Sequence, residues 1–229
     1  MERVILVGGS FNPLHNGHLR IAIEAQEAFD AARIDFIPSF KPPHKQEEGL
    51  LPYELRVKAL ELALETCDAA RINQFEALSD KPSYTYYTLQ DYARREPGSE
   101  LFFVLGSADF ASLDSWHNWE ELVNLANLVV VPRCGENLPD FLNTARGLWP
   151  GCEQAGNNAP GICLNPGTGP EAKQAFFLPV PRLDISSSLI REKWRHNKSL
   201  NFLVPQAALK LLRDNSREVS RIWMQEKQT

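Results

Sequence analysis

Two histidines stand three positions apart in a stretch crowded with glycine and proline, Gly8-Gly9-Ser10-Phe11-Asn12-Pro13-Leu14-His15-Asn16-Gly17-His18. At that spacing around a helix start, two imidazoles can point the same way. Three chemistries fit such a pair. The first is a divalent metal site, which normally takes a third protein ligand, and no carboxylate lies close by in sequence. The second is structural, with one ring capping the helix and the other packed. The third is donation of two hydrogen bonds to one phosphate as charge builds on its oxygens. The glycines favour the third, because they let the backbone approach a ligand closely and lead into a helix start whose N–H groups attract an anion. The stretch is neither G-x-x-x-x-G-K-[ST] nor G-x-G-x-x-G, so the P-loop and dinucleotide-binding readings lose their main support.

Two further stretches carry groups suited to phosphate. "ISSSLIR" (185–191) offers Ser186 as a helix N-cap, further hydroxyls from Ser187 and Ser188, and Arg191 three residues later. Serines at a helix start and an arginine that binds bidentately both suit phosphate oxygens; a serine-capped surface helix is the plainer alternative. "PSFKPPHK" (38–45) places Lys41, His44 and Lys45 on a loop stiffened by Pro42 and Pro43. Ser39 and Lys45 suit a phosphate clamp, and an ordinary basic surface loop fits nearly as well.

These residues need a scaffold, and the hydrophobic pattern supplies one. "RVILV" (3–7) reads as a buried strand ended by two glycines, 17–29 as an amphipathic helix, and "RIDFIP" (33–38) as a second strand. A strand, helix and strand in succession form a βαβ unit. The alternation continues with a helix over 52–66, a strand over 71–78 and a helix over 83–96. A central strand over 100–106, a helix over 118–126 and a strand over 127–133 follow. The expectation is an α/β fold with a Rossmann-like, doubly wound parallel sheet and right-handed crossovers. Ligands of such sheets collect beyond the carboxyl ends of the strands, which is where 8–18 falls. Residues 134–173, rich in Gly, Pro and Asn, read as a long insertion without structure of its own. A strand over 174–180 and helices over 185–196 and 204–215 complete a single domain at 1–215, and 216–229 reads as a polar C-terminal tail.

Composition narrows the partners. The chain has 229 residues, 43% hydrophobic and 23% charged, with a formal net charge of −5. That balance disfavours a nucleic-acid partner, which works through counterion release from a basic surface. The N-terminus lacks a signal peptide pattern and no apolar run approaches a membrane span, so the expected location is cytoplasmic with no membrane partner. Cys67, Cys134, Cys152 and Cys163 show no C-x-x-C spacing, and ordinary reduced thiols are expected. Oligomeric state is not legible, and a homo-oligomer stays open.

Taken together, the motifs carry a resemblance. "GGSFNPLHNGHL" with its H-x-G-H at 15–18, and "ISSSLIR", resemble the two signatures of the nucleotidyltransferase α/β superfamily. "PPHK" (42–45), "PSYTYYTL" (82–89) and Trp116 after "LGSADFASLDSW" look like the bacterial nicotinate-nucleotide adenylyltransferases. The resemblance covers about residues 3–212 with its motifs in the expected order. It implies adenylyl transfer from ATP to nicotinate mononucleotide, giving deamido-NAD and pyrophosphate in NAD biosynthesis, with Mg2+ accompanying ATP. It implies His15 and His18 as catalytic residues and an ATP site from Gly8, Gly9, Ser10, Phe11, His15, Gly17, His18, Gly106, Asp109, Ile185, Ser186, Ser188 and Arg191. It implies a mononucleotide site from Ser39, His44, Lys45, Tyr84, Thr85 and Trp116, with Trp116 stacking on the pyridine and backbone amides near Tyr84 and Thr85 receiving its carboxylate. No residue is implied as a metal ligand. The sequence departs from the family at one place. The family commonly has an aspartate two residues after the glycine that ends the central strand, whereas here Asp109 stands three after Gly106. The rivals are the same chemistry on nicotinamide mononucleotide or phosphopantetheine, and a non-catalytic nucleotide-binding regulator.

Overall fold

The fold is described from a computed structural model over residues 1–42, 49–132, 137–154, 162–166 and 173–225. The chain opens with β1 (Glu2–Gly9), α1 (Asn16–Phe29), β2 (Arg33–Pro38), α2 (Tyr53–Leu64), β3 (Ala70–Ile72), α3 (Phe75–Leu78) and α4 (Thr85–Arg95). It continues through β4 (Ser99–Gly106), α5 (Ser107–Ala111), α6 (Trp119–Leu125), β5 (Asn127–Val131) and α7 (Leu138–Leu148). The last elements are β6 (Glu153–Gln154), β7 (Ile162–Asn165), β8 (Ala175–Phe177), α8 (Ser187–Arg195), α9 (Gln206–Asp214) and α10 (Ser216–Gln225).

One eight-stranded sheet runs in the order β3-β2-β1-β4-β5-β8-β7-β6. The six strands from β3 to β8 pair in parallel, while β7 lies antiparallel to both β8 and β6. Strands covered on both faces read as continuous apolar runs, as in β1, β4 and β5. Alternate residues then serve opposite cores. Val4, Leu6, Phe103, Leu105 and Val130 face the core closed by α4, α6 and α7. Ile5, Val7, Phe102, Val104 and Val129 face the one closed by α1 and α2. The strand order reverses between β1 and β4, the switch point where open α/β sheets leave a crevice.

Three expectations need correction. The strand expected over 71–78 stops at Ile72. Asn73 Oδ1 accepts the N–H of Phe75 at 2.8 Å, and this side-chain turn starts the short α3 instead. The segment 134–173 is not a structureless insertion. Asn137 and Asp140 form a reciprocal capping box with Pro139 in the first turn of α7. Phe141, Ala145 and Trp149 bury themselves in the main core, and β7 joins the sheet. The stretch after Asn215 is also structured: α10 buries Val219 and Trp223 in a third core shared with α2, α8 and α9. Trp223 is fully buried, and its ring meets Trp194 edge-on at 5.5 Å.

Candidate active site

His15 is the N-cap of α1, and its Nδ1 accepts the backbone N–H of His18 at 3.3 Å. His18 Nδ1 in turn accepts the N–H of His15 at 3.3 Å. Two imidazoles thus do the work that serine and glutamate do in an ordinary capping box. A neutral imidazole nitrogen that accepts a hydrogen bond carries no proton, so the proton of each ring sits on Nε2. The rings stack at 3.6 Å with 20° between planes, so the two donors are held side by side. The structure therefore shows a capping role for both rings: each Nδ1 accepts a backbone N–H at the helix start, which leaves the proton of each neutral ring on Nε2.

Gly17 follows from this arrangement. A Cβ at that position would lie 2.9 Å from His15 Nδ1, closer than real Cβ atoms come, and a tight 3.1 Å from its Cε1. Phe11 supports the pair from below, its ring meeting His18 edge-on at 5.1 Å and Phe36 at 5.9 Å. That ring is 1% exposed, so the Phe11 side chain acts as a wall behind His18 rather than as a ligand surface. Asn16 is anchored by two carbonyls of the loop before α9, its N–H to Leu203 O at 2.9 Å and its Nδ2 to Phe202 O at 2.7 Å.

The serine-rich motif of 185–191 packs against the histidine motif. Ser186 caps α8 by accepting the N–H of Leu189 at 3.1 Å. Ser187 Oγ donates to Pro13 O at 2.9 Å, and Arg191 Nη1 donates to Asn12 O at 3.0 Å. Arg191 Nη2 also donates to Ser188 Oγ at 3.4 Å, and the carbonyl of Ile185 lies 3.5 Å from where a Gly17 Cβ would stand. The N-termini of α1 and α8, each a centre of partial positive charge, thus converge on one corner.

Beside that corner a cavity of about 480 Å³ opens at the carboxyl ends of β1, β2 and β4. Of the residues expected to bind ligands, Gly8, Gly9, Ser10, Ser39, Tyr84, Thr85, Asp109 and Trp116 line it. Asp109 reaches the cavity because β4 runs directly into α5 at Gly106, and the helical turn brings the third residue round to the mouth. Gly106 itself is not a lining residue but the N-cap of that helix. Trp116 is half-buried and meets Phe103 edge-on at 6.3 Å. No side chain caps α4, whose first residue is Thr85, so its N-terminus can receive an anion. His44 and Lys45 lie outside the described residues.

The sequence reading passed over three residues that shape the cavity. Arg56 is 2% exposed; its Nη1 donates to Ser10 O at 2.7 Å and its Nε to Leu51 O at 3.0 Å. Burial lowers its pKa. An arginine between the core-facing Leu55-Val57-Leu60 positions of α2 was the available signal. Glu76, on α3, accepts the Phe40 N–H at 3.3 Å and the Thr88 hydroxyl at 3.1 Å. Burial raises its pKa, against the hydrogen bonds from Ser83, Thr88 and Phe40. His117 lines the cavity next to Trp116. Tyr53, packed against Phe40 and Arg56, buries a hydroxyl that has no hydrogen-bond partner among the described residues.

The cytidylyltransferase-like family matches residues 6–193. A probable nicotinate-nucleotide adenylyltransferase of Geobacter metallireducens is 35% identical over 208 residues, covering 89% of this chain and 92% of the relative. Another from Trichlorobacter lovleyi is 36% identical over 204 residues, covering 87% and 91%. The structure of Plasmodium falciparum nicotinic acid mononucleotide adenylyltransferase complexed with NaAD superposes with a TM-score of 0.71 at 16% identity, covering 95% of this chain and 98% of that one, a likeness of fold. The chain belongs to the cytidylyltransferase-like family and, within it, groups with the nicotinate-nucleotide adenylyltransferases.

Proposed function

We infer that this chain transfers the adenylyl group of ATP to nicotinate mononucleotide, forming deamido-NAD and pyrophosphate. The observation that carries this reading is the convergence of the α1 and α8 N-termini, with their two Nε2-protonated histidines, beside a cavity that has an indole and an uncapped helix start in its wall. A phosphate oxygen of the mononucleotide attacks the α-phosphorus of ATP. The new P–O bond forms as the bond to the α,β-bridging oxygen breaks, and that electron pair leaves with pyrophosphate. The nucleophile is already anionic, so no side chain needs to remove a proton. Catalysis is positioning together with stabilisation of charge on the equatorial oxygens.

His15 and His18 donate to the α-phosphate, and the α8 N-terminus with Ser186, Ser188 and Arg191 takes the β- and γ-phosphates. The acceptor lies in the cavity with its pyridine against Trp116 and its carboxylate at the start of α4, near Tyr84 and Thr85. Ser39 lies toward its phosphate. Mg2+, when bound with ATP, neutralises the departing pyrophosphate. The donor set fits that role, since Mg2+ binds through substrate phosphates with one or two carboxylates and Asp109 stands exposed at the cavity rim.

No described helix is long and apolar enough to cross a membrane. We place the reaction in the cytoplasm, where ATP serves as co-substrate, and within one domain. The test is pyrophosphate release with ATP and Mg2+, offering nicotinate and nicotinamide mononucleotides in parallel. Release with a strong preference for the acid is expected. Preference for the amide would keep the chemistry and change the acceptor, and no release with either would overturn the reading.

A further inference from the structure

The loop that leads to the histidine pair turns on a residue in a conformation that side chains seldom take. Phe11 has φ at +45°, in the left-handed region, which a bulky residue occupies only where its surroundings hold it there. The surroundings are specific. Arg56, from α2, donates Nη1 to Ser10 O at 2.7 Å. That carbonyl shares one rigid plane with the Phe11 amide, so the bond sets the direction in which the chain enters Phe11. Asn12, on the other side, is fixed at three points. Its Nδ2 donates to Gly49 O at 2.8 Å, its Oδ1 accepts the Leu51 N–H at 3.1 Å, and its carbonyl accepts Arg191 Nη1 at 3.0 Å. Held in this way, the Phe11 ring meets His18 edge-on at 5.1 Å.

Arg56 is the unusual member of this set. It is buried, and its described partners are the carbonyls of Ser10 and Leu51 and the face of Tyr53 at 5.3 Å, rather than a carboxylate. Burying a cation without an anion beside it is unfavourable, and an apolar side chain would fill the same space without that penalty. A guanidinium offers what such a side chain lacks, a rigid fork of donors that can hold carbonyls of two segments at once. Here the fork ties residue 10 to residue 51, and Asn12 joins the same two segments one residue further on. We propose that Arg56 is a positioning residue for adenylyl transfer: by fixing the Ser10 carbonyl it holds the turn at Phe11, and through the Phe11 ring it holds the angle of His18. This rests on the reading of His18 as a donor to the α-phosphate. Arg56 is not among the described residues that line the cavity, so it acts through Phe11 and not on a substrate.

The experiment compares Arg56→Met and Arg56→Lys with Leu212→Ala, a cavity-forming change in the core that α9 shares with α2. Turnover is expected to fall about 10²-fold in Arg56→Met, with KM for ATP and for the mononucleotide within about threefold of the unmodified chain. Lysine keeps the charge without the fork, and a loss of about tenfold is expected. Leu212→Ala lowers the melting temperature and leaves kcat within about twofold. The second readout is 15N NMR of histidine-labelled protein, with the His18 ring signals identified by their loss in His18→Ala. These signals are expected to shift in both Arg56 variants and to stay in place in Leu212→Ala. Arg56→Lys decides alone should Arg56→Met fail to fold. Near-normal kcat, unmoved His18 signals, or a kcat loss matched by Leu212→Ala would overturn the inference and leave Arg56 a residue of the core. Absence of pyrophosphate release from the unmodified chain would overturn the functional reading first, and this inference with it.

Discussion

In the corner where α1 and α8 meet, side chains hold one another and the backbone of neighbouring turns. His15 and His18 cap the same helix reciprocally, Gly17 makes room for His15, and Ser187 and Arg191 bond the backbone of 12–13. The acceptor cavity is built differently. Its wall comes from β1, β2, α3, α4 and the segment 109–117, and the groups proposed to bind there are largely backbone amides and an indole. The first arrangement is a set of interlocked residue types, and few substitutions could preserve it. The second is a shape assembled from distant segments, where many residue types would supply the same backbone. A fault in the corner should therefore appear in turnover, and a fault in the cavity in the apparent affinity for the acceptor.

The sharpest way to break that contrast is His18→Ala, which removes a donor to developing charge and half of the reciprocal cap. Turnover should fall about 10²- to 10³-fold, on the order of 3 kcal/mol, while ATP still binds calorimetrically. Near-normal turnover would strip the corner of its phosphate role. Gly17→Ala tests the interlock itself, because the added methyl must push the His15 ring aside. Here kcat should fall about 10²-fold with little change in melting temperature, since displacing a positioned group by an ångström costs rate more than stability. An active variant would show that His15 tolerates displacement.

On the cavity side, Trp116→Ala should raise KM for the mononucleotide roughly tenfold with kcat nearly unchanged, the mark of lost ground-state stacking. A defect confined to ATP would mean that the two regions had been exchanged. The smallest effect is expected from Tyr53→Phe, which removes a buried hydroxyl that has no partner among the described residues and should stabilise the fold by up to about 1 kcal/mol in urea unfolding. Burial, then Glu76, pushes the Tyr53 pKa from 10.0 up to about 12. The folded chain thus holds this proton more tightly than the unfolded one. The stability from that difference is complete below about pH 10 and is lost as pH rises toward about 12. The phenylalanine variant should lose less stability over that interval, and parallel curves for the two proteins would refute the assignment.

How much of this was legible varies with how local the signal is. The βαβ opening, the central strand and both phosphate motifs are short-range patterns of hydrophobicity, glycine and capping residues, so reading them needs no knowledge of the partners. Even in 134–173 the capping box of α7 was present as Asn137-Leu138-Pro139-Asp140, obscured by the surrounding glycines and prolines. The strand expected over 71–78 failed because Phe75 and Leu78 suit either structure, and the turn at Asn73 decided between them. For α10, the apolar residues Val219, Ile222, Trp223 and Met224 in a polar stretch did not announce a core position. Trp223 is buried because α2, α8 and α9 leave an apolar gap that it fills.

By itself, then, the sequence determined the α/β alternation, the histidine motif and the serine-capped helix each in its own segment, and the residue types suited to phosphate, because each depends on contacts within a few residues along the chain. The tertiary structure decided which nitrogen of each histidine carries the proton, why Gly17 is a glycine, and that Asp109 reaches the cavity from its shifted place. It also brought Arg56, Glu76 and His117 to the site from helix and loop segments whose local patterns name no ligand. Those features depend on how close distant segments come in space, and residue spacing along the chain carries no measure of that distance.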